Sequence, residues 1–66
     1  MTKIRALRQA RGLKLIDLAY ATKVHPTQLT SIERGHLAAS ARAREAICAF
    51  LEVDKGALFD EGNIAV

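Results

Sequence analysis

The stretch LIDLAYATKVHPTQLTSIERG, residues 15–35, decides how this chain folds. Apolar residues recur at helical spacing in each half, so each half has one stripe for a core and one free face. Pro26 suits the first position of a helix, because it lacks an N–H and its φ is already near the helical value. Gly35 can adopt the left-handed conformation that ends a helix. The stretch therefore predicts helices over residues 15–22 and 26–34, joined by a tight turn at 23–25.

The second of these helices has a polar outer face. Its inward stripe is predicted to be Leu29, Ile32 and Glu33, from their spacing. Every residue left on the outer face can donate a hydrogen bond: Thr27, Gln28, Thr30, Ser31 and Arg34.

The rest of the chain predicts three more helices. Thr2 can cap a first helix over about 2–11, and Gly12 ends it. Ser40 can cap a fourth helix that runs to about Leu51, with an apolar face of Ala43, Ile47, Cys48, Phe50 and Leu51. Asp54 can cap a short fifth helix that contains Ala57, Leu58 and Phe59. No segment alternates with period two, so the sequence predicts one compact all-α domain of five helices over residues 1–66.

The tail, residues 60–66, ends in apolar residues without an obvious partner in the chain. It can fray, fold onto the core, or pair with a second subunit. An exposed apolar terminus favours the last of these.

Composition excludes several classes of protein. With 66 residues, half of them apolar, the chain has room for one small core and no apolar run long enough to cross a membrane. Basic residues are interleaved with apolar ones at the N-terminus, which is unlike a secretory signal, so we expect a cytoplasmic protein. Cys48 is the only cysteine, and with His25 and His36 it makes a poor metal-binding set. We expect neither a metal nor a cofactor.

Charge is divided unevenly along the chain. Residues 1–44 hold nine of the ten lysines and arginines and carry a net charge of +7, whereas residues 45–66 carry −4. A basic front suggests a polyanionic partner. Ordinary solvated charge on helices is the alternative, and charge alone does not decide between them. An enzyme is not expected, because no paired carboxylates, catalytic triad or phosphate-binding glycine loop is present.

The segments IRALRQARGL, DLA, VHPTQLTSIERG and ICAFLEVDKGALF, together with Ser40, resemble the Cro/C1-type (XRE-like) helix-turn-helix family of phage and bacterial repressors. The resemblance covers about residues 4–59, and its most specific element is LTSIERG with Ala19 and Val24 upstream. It implies a lambda-repressor-like bundle of five helices. Residues 15–34 form its DNA-binding unit, and the third helix enters the major groove of double-stranded DNA. It also implies a structural ion pair between Arg8 and Glu33.

The resemblance also implies site residues. Thr27, Gln28 and Ser31 are expected to meet base edges, where Gln28 can pair bidentately with adenine. Pro26 offers no side-chain donor at a position where relatives often have Gln. Leu15 replaces another Gln that is usual in the family, so only the backbone N–H of Leu15 can reach a phosphate. Lys23 stands where the turn usually has Gly. The expected contacts to the DNA backbone are Lys14, Leu15, His25, Thr30, Arg34 and His36, with Arg11 and Arg42 as outer candidates.

A single copy with so few base contacts would bind weakly, which favours a homodimer on paired half-sites. Its expected interface is Phe59, Ile64 and Val66. The sequence thus predicts a transcriptional regulator that acts as a repressor. The alternative is a protein-binding module on the same fold, such as the antitoxin partner of a small toxin.

Overall fold

The structure, a computed structural model, describes residues 1–66 and is all-helical. Its helices are α1 (Lys3–Ala10), α2 (Leu15–Thr22), α3 (Pro26–Glu33), α4 (Ala41–Leu51) and α5 (Lys55–Leu58). They pack into a body of 28 × 21 × 20 Å. The predicted five-helix, all-α fold is confirmed. None of the five helices has both the length and the apolar character needed to cross a bilayer.

Helix ends follow the capping residues of the sequence, except that the side chain of Asp54 makes no capping hydrogen bond at the start of α5. The Thr2 hydroxyl accepts a hydrogen bond from the backbone N–H of Arg5, and Ser40 accepts one from Ala43. Thr2 therefore lies before α1 and not within it. Gly35 follows α3 with φ of +77°, and a β-carbon there would lie 3.1 Å from the carbonyl oxygen of Ala65. Glycine at this position thus serves both the left-handed turn and a close backbone approach.

One cluster of buried apolar side chains fills the space between the helices. The inward stripes predicted for α2 and α3 are confirmed: Leu18 and Leu29 are fully buried, and Val24 in the turn is buried as well. The cluster consists of Ile4, Leu18, Ala19, Val24, Leu29, Ile32, Ala39, Ala43, Ile47, Leu51, Leu58, Phe59 and Ala65. It holds α2 and α3 against the rest of the domain and so fixes the direction in which α3 faces solvent.

Phe50 was assigned wrongly to the apolar face of α4. Ala43, Ile47 and Leu51 of that face are buried, but Phe50 is 41% exposed. Phe50 follows Ile47 by three positions and precedes Leu51, so helical spacing alone puts it close to the buried stripe. Its side chain does not join the core and remains partly in solvent.

The C-terminal tail folds onto the domain. Phe59 and Ala65 form an antiparallel backbone bridge, and the N–H of Val66 donates to the carbonyl of Leu58. The N–H of Lys3 in turn donates to the carbonyl of Val66, which ties the tail to α1. Because Phe59 takes part in this extended pairing, it lies just beyond α5, and its predicted place inside that helix is wrong.

The same pairing corrects one expected interface residue. The side chain of Phe59 is only 5% exposed and belongs to the core, so it is not available to a second subunit. Ile64 is half-buried, whereas Val66 is 45% exposed. Of the three residues expected at a dimer interface, only Val66 has a largely open side chain.

Candidate nucleic-acid interface

The outer face of α3 presents an open row of hydrogen-bonding side chains. Thr27 and Gln28 are exposed in its first turn, and Ser31 is half-buried one turn further along. Thr27, Ser31 and Arg34 are separated by four and three positions, so they lie along one line of the helix surface. These side chains can reach outward to a partner, while Leu29 and Ile32 on the opposite side are buried.

Thr30 is less available than its position on the outer face suggested. Its hydroxyl donates to the carbonyl oxygen of Pro26 over 2.9 Å. A threonine hydroxyl has a single proton, so Thr30 has none left for a phosphate oxygen in this conformation. Its expected role as a donor to the DNA backbone is not supported by this geometry.

His25 caps the N-terminus of α3. Its ring nitrogen Nδ1 accepts a hydrogen bond from the backbone N–H of Thr27 over 3.2 Å. An accepting Nδ1 carries no proton, so in the neutral ring the proton is on Nε2. The ring is exposed, so Nε2 remains as a donor that faces solvent. It lies at the N-terminal end of α3, next to Thr27 and Gln28. His25 is expected from the sequence to contact a phosphate, but its capping role has no signal there.

The start of α2 combines a free backbone with a lysine. Lys14 makes no side-chain cap, and its backbone N–H donates to the Asp17 carboxylate over 2.8 Å. The backbone N–H groups of Leu15 and Ile16 have no acceptor within the protein. The Leu15 side chain packs against the core, so Leu15 can offer only its N–H to a partner, next to the exposed Lys14 side chain. Such a helix start attracts anions.

A buried ion pair fixes α3 to α1. The Arg8 guanidinium donates from Nε and Nη2 to the two carboxylate oxygens of Glu33, over 2.9 and 2.8 Å, and from Nη1 to the carbonyl of Leu13 over 2.8 Å. Glu33 is only 3% exposed. The hydrogen bond to Glu33 keeps the pKa of Arg8 above its ordinary value, against the opposite effect of burial. The pair holds the last turn of α3 in place and leaves the outer face of α3 free.

Three other arginines bind backbone carbonyls, and two of them do so at the ends of helices. Arg11 donates to Leu51 at the end of α4 over 2.7 Å. Arg42 donates to Thr22 and Lys23 at the end of α2 over 3.2 and 2.7 Å. Arg44 donates to Ala39 over 2.7 Å. Arg11 and Arg42 were expected as outer contacts to DNA, and the structure instead uses both to satisfy carbonyls that a helix end leaves without partners.

Arg42 also supports an unfavourable turn. Lys23, between α2 and α3, has φ of 57° and ψ of 35°, the left-handed conformation that non-glycine residues seldom adopt. Two hydrogen bonds from Arg42 bind the carbonyls on either side of this backbone. No sequence signal linked residue 42 to this turn, because the two are 19 positions apart in the chain.

Cys48, His25 and His36 do not form a metal site. No group of three histidine, cysteine, aspartate or glutamate side chains lies close enough together to hold a metal ion. Burial, with a further contribution from the nearby Asp54 carboxylate, raises the pKa of the half-buried Cys48 thiol. Cys48 thus stays protonated at neutral pH and is a poor nucleophile.

Comparison with known proteins gives one match. The model of a family described as a helix-turn-helix domain matches residues 2–61, nearly the whole chain. A search of curated proteins and a search of solved structures find no match. The matched range contains α2, the turn and α3 with both of their capping residues, as well as the Arg8–Glu33 pair. The chain therefore belongs to the helix-turn-helix domain family, and this membership indicates a DNA-binding regulator.

Proposed function

We propose that this chain is a sequence-specific regulator of transcription of the Cro/C1 type, which binds double-stranded DNA with α3 in the major groove. The observation that carries the proposal is the outer face of α3. Thr27, Gln28 and Ser31 extend from a helix whose opposite face is buried and whose end is held by the Arg8–Glu33 pair. A helix presented in this way fits the width of the major groove.

Base reading falls mainly to Gln28. Its amide can donate to and accept from the edge of adenine at once, and the side chain is exposed. Thr27 and Ser31 each provide one hydroxyl, which discriminates less between bases, although the Thr27 methyl can contact the thymine methyl. Discrimination within one half-site is therefore modest.

Contacts to the DNA backbone surround this face. Lys14, with the free N–H groups at the start of α2, can bind one phosphate, and Nε2 of His25 can donate to another. Arg34 and His36, both exposed just beyond α3, can bind phosphates on the far side. These contacts orient the helix without selecting a sequence.

Two copies acting on paired half-sites would supply the affinity that one copy lacks. In the proposed homodimer the exposed Val66, with the half-buried Ile64, lies at the interface. Removing the tail is a poor test, because Ala65 is buried and Asn63 accepts a hydrogen bond from Ala39. Val66→Asp changes only the exposed side chain, and sedimentation should show a weaker dimer. An unchanged dimer would exclude Val66 from the interface.

The regulator is proposed to act in the cytoplasm as a repressor, since a small domain bound at an operator can block access by other proteins. Selection from a randomised duplex pool tests the proposal by giving the half-site and its spacing. Gln28→Ala should then change the preferred base at one position, with a loss of about 1–3 kcal/mol in discrimination. Lys14→Ala should weaken all sequences alike. Equal effects of Gln28→Ala on selected and random duplexes would refute the role of Gln28.

One observation favours the alternative of a protein partner, such as the toxin bound by an antitoxin. Tyr20 is 84% exposed and Ile16 55% exposed, and both line an open groove of about 440 Å³ between α2 and the start of α3. Measuring binding of random duplex DNA at two salt concentrations separates the two functions. A DNA-binding protein loses affinity steeply as salt rises, whereas a protein-binding module gives a weak or salt-insensitive signal.

A further inference from the structure

An open basic cleft of about 520 Å³ lies beyond the C-terminal end of α3. Arg5 contributes to it from α1, Arg34 from the residue after α3, and His36 from the following loop. Thr2, Glu33 and the tail residue Val66 form other parts of its wall. Three side chains that can donate to an anion thus converge from separate segments.

The charges in this cleft are not used by the protein itself. The ion pair between Arg8 and Glu33 is the only salt bridge of the structure, and none of the side-chain hydrogen bonds involves the side chains of Arg5, Arg34 or His36. By contrast, Arg8, Arg11, Arg42 and Arg44 all bind carbonyl or carboxylate groups of the protein. The one acidic side chain that lines the cleft, Glu33, is buried and already bound through both oxygens by Arg8. The cleft therefore has a net positive charge without an internal partner.

The cleft continues the outer face of α3. Arg34 stands in line with Thr27 and Ser31 on the helix surface and at the same time lines the cleft. A duplex that follows this line would bring its backbone to the cleft after the last base contact. A phosphate, with its negative charge and several acceptor oxygens, suits two guanidinium groups and an imidazole.

We propose that Arg5, together with Arg34 and His36, binds a phosphate of the DNA backbone next to the bases read by α3. The inference rests on the proposed function. It adds a contact from α1, a helix that lies outside the helix-turn-helix unit. A phosphate contact does not depend on the base sequence, so Arg5 contributes affinity and register but no base preference.

The test compares Arg5→Gln with Lys3→Gln. Both variants lose one positive charge from α1, but Lys3 lines a different groove, between α1 and α5. The backbone N–H of Arg5 that meets Thr2 is retained in the glutamine variant. Binding of a selected and a random duplex is measured between 50 and 200 mM salt, after thermal unfolding has shown that all proteins are folded.

Losing one phosphate contact should reduce the slope of log affinity against log salt by about 0.9 in Arg5→Gln, for both duplexes. The advantage of the wild type over this variant then falls by about 3.5-fold across the salt range. Lys3→Gln should keep the wild-type slope. An unchanged slope in Arg5→Gln, or an equal loss in Lys3→Gln, would overturn the proposal while leaving DNA binding intact.

A second titration distinguishes the two possible sources of the phosphate, which are the DNA backbone and free inorganic phosphate. Inorganic phosphate at millimolar concentration should leave the side-chain NMR signals of Arg5 and His36 nearly unmoved, whereas duplex DNA should shift them. Saturable shifts with inorganic phosphate and none with DNA would assign the cleft to a free anion and overturn the proposal. A wild-type protein that binds no duplex at any salt concentration would refute the proposed function itself.

Discussion

Arg8→Ala should remove a large part of the stability of this domain. The substitution leaves the Glu33 carboxylate, 3% exposed, without the two hydrogen bonds that neutralise it. Breaking a buried ion pair from one side costs about 3–5 kcal/mol in unfolding free energy, and the lost bond to the Leu13 carbonyl adds about 1 kcal/mol. A domain of this length has an unfolding free energy of roughly 3–10 kcal/mol, so the loss approaches the whole.

Urea denaturation followed by helical circular dichroism measures this loss. Even a decrease of about 3 kcal/mol, the lower end for the ion pair alone, corresponds to roughly 12–24 °C in melting temperature for a domain of this size. Arg34→Ala, which removes an exposed guanidinium beside the same helix end, is the matched control and should change stability by less than about 0.5 kcal/mol.

The double variant Arg8→Met with Glu33→Gln separates loss of the pair from burial of a lone charge. It should be more stable than Arg8→Ala, because no unpaired charge remains in the core. An Arg8→Ala protein within about 1 kcal/mol of the wild type would show that Glu33 does not need Arg8 as a partner. A double variant less stable than the single one would show that the unpaired charge is not the cause of the loss. The bases preferred by folded Arg8→Ala should not change, since Arg8 has no contact with the outer face of α3.

Three further predictions concern the turn, the arginine cap and the thiol. Lys23→Gly should raise unfolding free energy by about 1 kcal/mol in urea denaturation, because glycine adopts φ of 57° without steric strain; a loss would contradict this. Arg42→Lys should lower stability by about 1 kcal/mol, because lysine cannot reproduce both bonds to the carbonyls at the end of α2, yet it should keep the salt dependence of DNA binding. A changed salt slope would restore Arg42 as a DNA contact. Cys48 should react with iodoacetamide more slowly than free cysteine at pH 7 and speed up at alkaline pH, because its pKa is raised and the thiolate is the reactive form; a rate equal to that of free cysteine would disprove it.

Local signals in the sequence were enough to predict the helix-turn-helix unit. Pro26 and Gly35 mark the two ends of α3, and the bounds of α2 were predicted to the residue. These features depend on backbone geometry within a few residues, which propensity describes well. The inward stripes of both helices followed from spacing for the same reason.

Contacts between distant parts of the chain could not be predicted from residue spacing. Phe59 was assigned to a dimer interface because nothing in the sequence shows that it pairs with Ala65 and joins the core. Arg11 and Arg42 were treated as free charges, although Arg11 binds one carbonyl at the end of α4 and Arg42 binds two at the end of α2. Spacing along one helix predicts which face is buried, but it does not tell which backbone group on a neighbouring helix a long side chain will reach.

The most direct test of DNA binding through α3 is an NMR titration of the labelled protein with a short duplex at low salt. Binding through α3 predicts that backbone signals of Thr27, Gln28 and Ser31 shift most, followed by those at the start of α2, while signals of α4 and α5 stay unchanged. Shifts confined to α4 and α5, or no shifts at all, would contradict it.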